Sequence, residues 1–223
     1  MDIVTLDLFD SVGTAVEVRR EPLGNGAGAM ILRGAAASRA ELLLAAIESV
    51  NAQAPFRLMT TPGGFRMSVA MSNCGTAGWV TDRRGYRYEA IDPLTGQPWP
   101  AMPPVFLLVA AEAAAEAGFG DFSPDACLIN RYEPGTRLSL HQDRNERDFN
   151  APIVSVSLGL PAVFLFGGRQ RSDRPRRVLL QHGDVVVWGG PARLNFHGVM
   201  PLKEGHHSRL GRCRINLTLR KAS

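Results

Sequence analysis

The sequence predicts a mainly β fold with flanking helices, an α+β chain whose core is a jelly roll or a barrel-like sandwich. Three observations lead there. Eight short runs of strand character (127–132, 137–141, 153–158, 162–166, 177–180, 184–188, 194–197 and 212–220) are punctuated by Gly, Pro and Asn or Asp. Two helical stretches, 39–52 and 105–117, come before these runs and read as flanking helices. At 223 residues, with 45% hydrophobic and 21% charged residues, the chain has the size and apolar content of one such unit. Neither a repeat nor a linker interrupts it, so a single domain over 1–223 is expected.

Residues 1–37 carry short apolar runs, Ile3 to Leu8 and Met30 to Leu32, with a glycine-rich turn from Gly24 to Gly28 between them. They are expected as one or two strands packed outside the main sheet. Ser38-Arg-Ala-Glu41 reads as a capping box, in which hydroxyl and carboxylate each satisfy an orphan amide at a helix start. Leu42, Leu43, Ala46, Ile47 and Val50 then recur at helical spacing, so an amphipathic helix is expected over 39–52. After the turn Pro62-Gly63-Gly64, Met67, Val69 and Met71 alternate. Trp79, Tyr86 and Tyr88 follow among Arg83, Arg84 and Arg87. Aromatics interleaved with arginine suit a surface that stacks nucleobases and contacts phosphates. A hairpin with its aromatics turned inward and its arginines solvated fits the same residues, and from this stretch alone it is the preferred reading. A proline-rich loop over 92–104 leads into an Ala-rich helix over 105–117, ended by Gly118.

The formal charge, 25 − 21 = +4, permits an anionic partner without demanding one. Cys74, Cys127 and Cys213 lack CxxC spacing, and their odd number argues against a disulfide framework. A reducing, cytoplasmic setting is expected. The opening Met-Asp-Ile-Val-Thr does not read as a secretory signal. The longest apolar stretch, 105–115, is broken by Glu112 and is too short to cross a membrane.

The chemistry gathers at His141 and Asp143, which close the alternating run Arg137-Leu-Ser-Leu-His141. Two residues apart on a strand means one face, so imidazole and carboxylate converge. One distant histidine completes the two-His-one-carboxylate face that holds Fe(II) with open positions; zinc with three protein ligands and a water is the other option. Of the five histidines, His197 sits best for that role, at a strand end before Gly198. His182 reads as a solvent-exposed turn residue, and His206 and His207 as surface. The last strand puts Arg214, Asn216, Thr218 and Arg220 on one face and Ile215, Leu217 and Leu219 on the other. Two guanidinium forks beside a metal suit a dicarboxylate, with Asn130 and Tyr132 as neutral donors, although plain solvent exposure is the ordinary and preferred reading of such a face taken alone.

The run Asn130-x-Tyr132-x-Pro134-Gly135-x-x-Leu138-x-x-His141-x-Asp143, then His197, then Arg214-x-Asn216-x-Thr218-x-Arg220, resembles the AlkB family of Fe(II)/2-oxoglutarate dioxygenases. The likeness takes in Thr61-Pro-Gly-Gly64, Gly78-Trp79, Pro98-Trp-Pro-Ala-Met-Pro103 and Gly183-Asp-Val-Val-Val-Trp-Gly-Gly190, and so spans roughly 59–220. It implies a double-stranded β-helix (jelly roll, cupin-like) over 126–220 and a nucleotide-recognition lid over 59–92; the residues before them, 1–58, read as an N-terminal helical or irregular layer. It implies that His141, Asp143 and His197 hold iron. Asn130, Tyr132, Arg214, Asn216 and Arg220 would bind 2-oxoglutarate, Arg220 taking the distal carboxylate. Trp79 would stack on the damaged base, with Tyr86, Arg87, Tyr88 and Arg171 around it and Thr61, Met67 and Met71 in the lid.

The activity implied is oxidative dealkylation of bases such as 1-methyladenine and 3-methylcytosine in single-stranded or duplex DNA, with RNA as a further substrate, by a monomer using O2. Two other readings stand beside it: a 2-oxoglutarate oxygenase for a small molecule or protein, and a nucleic-acid-binding module with a zinc-filled site. One departure bears on substrate. The family pattern carries an acid two positions beyond the Asp ligand, where this chain has Asn145, followed by Glu146.

Overall fold

The structure, a computed structural model, describes residues 18–24 and 28–223. Strands β1 (Arg19–Pro22) and β2 (Ala29–Arg33) precede helix α1 (Ala40–Gln53). Then come β3 (Ala70–Gly75), β4 (Gly78–Asp82), β5 (Gly85–Glu89) and helix α2 (Pro104–Glu116). The remainder is β6 (Ala126–Tyr132), β7 (Leu138–His141), β8 (Ile153–Gly159), β9 (Ala162–Phe166), β10 (Arg176–Leu180), β11 (Val185–Trp188), β12 (His197–Val199) and β13 (Arg214–Arg220). A seven-stranded sheet runs β1-β2-β11-β8-β13-β6-β3, a four-stranded sheet runs β10-β9-β12-β7, and β4-β5 is a separate hairpin. Both sheets are antiparallel throughout.

The period-two rule sorts the large sheet into two layers. On β11, Val185 and Val187 enter one apolar cluster, while Val186 and Trp188 enter another. The first cluster is closed by α1, through Leu43, Leu44, Ile47 and Val50, and by α2, through Phe106, Val109, Ala110, Ala113 and Ala114. The second lies against the small sheet, through Phe164, Phe166, Val178, Leu180 and Val199. Because both faces of β8, β11 and β13 are covered, those strands are buried end to end. Truncating Leu43 or Ile47, both at or near zero exposure, would cost about 2–5 kcal/mol.

Several expectations change. β2 is not outside the main sheet but inside it, paired along its length with β11; its Ile31 and Leu32 are wholly buried. Ile3 to Leu8 lies outside the described residues. Ser38 makes no side-chain cap: a 3₁₀ turn, Ala37–Arg39, leads into α1 instead. The run 194–197 is not a strand either. Asn195 N–H is tied back to Ala192 O at 2.9 Å, so β12 begins only at His197. Helix α2 ends as expected, because Gly118 adopts φ +84. That lets Phe119 N–H reach Ala114 O and Gly118 N–H reach Ala115 O, a Schellman closure. Among the described residues no helix is long and apolar enough to cross a membrane.

Candidate active site

His141 ends β7 and His197 begins β12, and the two are direct partners across that antiparallel pair. Their rings lie 4.5 Å apart between centroids. Asp143 follows just past the end of β7, its carboxylate 3.8 Å from His141 Nε2 and 3.5 Å from His197 Nε2. One ligand atom from each of the three side chains falls within 4.8 Å of the others. His141 Nδ1 lies 2.8 Å from Ser139 O, and His197 Nδ1 lies 3.0 Å from Asn195 O. A carbonyl only accepts, so each Nδ1 carries the proton and each Nε2 lone pair faces the cluster. Burial, helped by the neighbouring His197, pulls the His141 pKa down to about 4, which keeps that ring neutral. Burial works to raise Asp143, but the Arg220 guanidinium 2.7 Å away holds it well below the usual carboxylate range. The donor set, two imidazoles and one carboxylate, fits Fe(II).

Beside this cluster, the polar face of β13 is buried rather than solvated. Arg214 is 1% exposed and Arg220 5%. Arg214 donates from Nη2 to Ser157 Oγ at 3.0 Å and its guanidinium lies 4.9 Å from the Tyr132 ring centre. Its Nε and Nη1 have no partner, and no carboxylate forms an ion pair with it among the described residues. Asn130 Oδ1 is unpartnered as well. A buried, unpaired cation is costly to keep, so this pocket is built for an anion that brings its own charge. Arg220 is placed differently. Its Nη2 stands 2.7 Å from Asp143 Oδ2 and its Nε 3.6 Å from Glu146, while Nη1 donates to Tyr88 Oη at 3.2 Å. Asn216 is held by Ser155 Oγ and Val156 O and accepts from Thr218 Oγ1.

The hairpin β4-β5 forms the outer wall. Asn73, buried on β3, clamps the Trp79 backbone with reciprocal 3.0 Å bonds. The Trp79 ring stacks on Tyr86 at 5.6 Å with 19° between planes, and its Nε1 donates to Asn145 Oδ1 at 3.3 Å. Tyr88 points the other way, donating to Glu146 at 2.6 Å. Burial pushes its phenol well above the ordinary range. Arg87 turns back onto Asp82 and Glu89 of its own hairpin. Arg171 donates to Leu140 O at 2.8 Å with its guanidinium over Phe196. Thr61 closes a turn with Phe65. Met71, expected in the lid, is instead a fully buried residue of β3, because its backbone pairs with Asn130 in the large sheet.

His182 is another departure: it is only partly exposed, its Nδ1 accepting from Gly159 N–H at 3.0 Å and its ring stacked on His207. Two buried charged residues carry no sequence signature. Arg193 is 2% exposed and Glu146 5%; they meet at 3.3 Å. Arg193 stands in a 3₁₀ turn without alternation, so nothing local marks it.

Residues 28–220 match the 2OG-Fe(II) oxygenase superfamily, which gives the class. The chain is 58% identical to the alpha-ketoglutarate-dependent dioxygenase AlkB of Escherichia coli (strain K12), over 97% of this chain and 98% of that protein. It is 32% identical to a human protein named nucleic acid dioxygenase ALKBH1, over 57% of this chain and 33% of that one. The solved structure of OsALKBH1 superposes with TM-score 0.77 at 27% identity, covering 90% of this chain and 100% of that one. The chain belongs to the AlkB family of dioxygenases that use Fe(II), O2 and alpha-ketoglutarate, that is, 2-oxoglutarate.

Proposed function

We propose that this enzyme removes N-alkyl groups from bases such as 1-methyladenine and 3-methylcytosine in DNA, with RNA as a further substrate. The observation that carries the reading is the Trp79–Tyr86 stack on a hairpin joined to the metal-facing loop through Asn145. A small or peptide co-reactant needs no such aromatic platform, whereas a base flipped from its stack does. The family's human relative bears the name nucleic acid dioxygenase, which supports the same class.

His141, Asp143 and His197 would hold Fe(II). When bound, the iron supplies activation of O2 against 2-oxoglutarate, which leaves as succinate and CO2 while one oxygen atom enters the N-alkyl carbon. The hydroxylated carbon then leaves as formaldehyde, and the ring nitrogen regains its lone pair. The chain's own residues bind and orient. Arg214, with its two free N–H groups beside Tyr132, takes the distal carboxylate of 2-oxoglutarate. This reassigns the role first given to Arg220, whose Nη2 faces the Asp143 carboxylate and whose Nη1 donates to Tyr88. Asn130 and Asn216 offer amides beside it. Trp79 and Tyr86 hold the base by its face, Asn145 faces its edge, and Arg171 stands near the approaching backbone. Arg87, tied to its hairpin acids, keeps Tyr86 and Tyr88 in place instead of reaching for substrate. The enzyme is read as a monomeric, single-domain protein, and three cysteines without CxxC spacing suit a cytoplasmic setting.

The test is mass spectrometry of a short 1-methyladenine oligonucleotide incubated with enzyme, Fe(II), ascorbate and 2-oxoglutarate. Loss of 14 mass units (about one CH2, the methyl exchanged for hydrogen) is expected, and none with His141→Ala. Succinate formed equally with and without the alkylated strand would favour a different substrate.

A further inference from the structure

We infer that Arg193 is a positioning residue that sets the spacing of the Asp143 and His197 ligands. The inference rests on the metal site and not on the nucleic-acid reading.

Asp143 lies in an irregular connection between β7 and β8 that no strand pairing holds. His197 follows a separate irregular approach, Gly189 to Phe196. A metal site must fix both within a few tenths of an ångström; His197 itself pairs with His141 and Phe166, but neither the Asp143 connection nor the backbone leading up to His197 has a ladder. Arg193 links them. It stands at the end of the 3₁₀ turn Gly190–Ala192, its own N–H bonded to Gly190 O at 3.1 Å. From there its guanidinium spends three donors on the Asp143 segment: Nη1 to Asp143 O at 2.8 Å, Nε to Ala151 O at 3.1 Å and Nη2 to Glu146 Oε2 at 3.3 Å. The Phe149 ring lies 5.4 Å from its centre. The bond to the Asp143 carbonyl is the telling one, because it fixes the main chain of a ligand residue. Gln142 adds a second rung, Nε2 to Leu194 O at 2.6 Å.

The planar fork suits this task in a way an ammonium does not. Three acceptors lie on three residues in divergent directions, and only guanidinium offers rigid donors to all three. The pair Arg193–Glu146 is almost fully buried, side chains 3% and 1% exposed. Glu146 in turn accepts from Tyr88 of the hairpin and faces Arg220. Supporting contacts of this kind govern ligand orientation, and their loss typically weakens metal binding about 10–100-fold.

The experiment measures metal affinity, not turnover. Apo protein is titrated anaerobically with Fe(II) in the presence of 2-oxoglutarate, following the visible charge-transfer band, and separately with Co(II) alone. Arg193→Met should raise the metal Kd about 10–100-fold, and Arg193→Lys, which reaches fewer acceptors, should fall between it and the native protein. Arg39→Met, which breaks an exposed pair with Glu112, is the control and should leave the Kd unchanged. Folding of each variant is checked by circular dichroism. A folded Arg193→Met with a lowered Tm but a Kd within twofold of native would make the residue merely structural and overturn the inference. So would failure of both Arg193→Met and Arg193→Lys to fold.

Discussion

Strand β13 and hairpin β4-β5 both carry arginines, yet the molecule uses them in opposite ways. In the hairpin, Arg84 and Arg87 are neutralised by Asp82 and Glu89, no more than five residues away. In β13 the partners are remote or missing: Arg220 finds Asp143, and Arg214 finds no carboxylate. An arginine satisfied by its own turn is scaffolding. One left buried with free donors marks where a charged ligand belongs.

Breaking β13 should do the most. Arg214→Met removes the proposed partner of the distal carboxylate, and losing one side of a buried charged pair costs about 2–5 kcal/mol. The KM for 2-oxoglutarate should rise roughly 30-fold or more by that range. The apo protein should at the same time melt higher, since methionine replaces an unpaired buried cation. A thermal melt without 2-oxoglutarate that fell instead would contradict the account of Arg214 as a charge in waiting.

On the hairpin the effect should be smaller and confined to substrate. Trp79→Ala deletes one stacking surface, worth about 1–3 kcal/mol per base. The KM for methylated oligonucleotide should therefore rise while that for 2-oxoglutarate stays put; parallel steady-state titrations separate the two. A change in both would mean that the hairpin holds the cofactor side too.

The subtlest change lies between the two regions. Asn145→Asp keeps an oxygen for Trp79 Nε1 and adds a negative charge. Glu146 does not supply that charge already, because Arg193, Arg220 and Tyr88 claim it. For an exposed side chain the gain toward cationic 1-methyladenine over neutral ethenoadenine should be about 1 kcal/mol, or roughly fivefold in relative kcat/KM. Competition between the two oligonucleotides measures it, and an unchanged ratio would dismiss the electrostatic argument for this position.

How much of this could be read beforehand follows a physical line. Strands with strict alternation or all-apolar runs, such as Ile153–Gly159 and Ala162–Phe166, were legible because period two is a local property. The spacing of His141 and Asp143 was legible for the same reason. The burial of β13's polar face was not, since alternation alone does not say which side meets water. Ser38 misled because a 3₁₀ turn served in place of the side-chain cap. Family resemblance places Met71 in the lid and does not reveal that its strand, Ala70–Gly75, pairs into the large sheet. Arg193 and Glu146 lie in irregular backbone 47 residues apart, where only the folded chain brings them together.

β13 lies inside the large sheet, between β8 and β6, with aliphatic side chains toward the helices and charged or amide ones on the other face. Sliding it by a single residue would drive two guanidinium groups into oil and strand three aliphatics in the cavity. The side chains that make the enzyme useful are thus also a proofreading device for assembly, and a mutation that bleached them to leucine would free the strand to settle out of step.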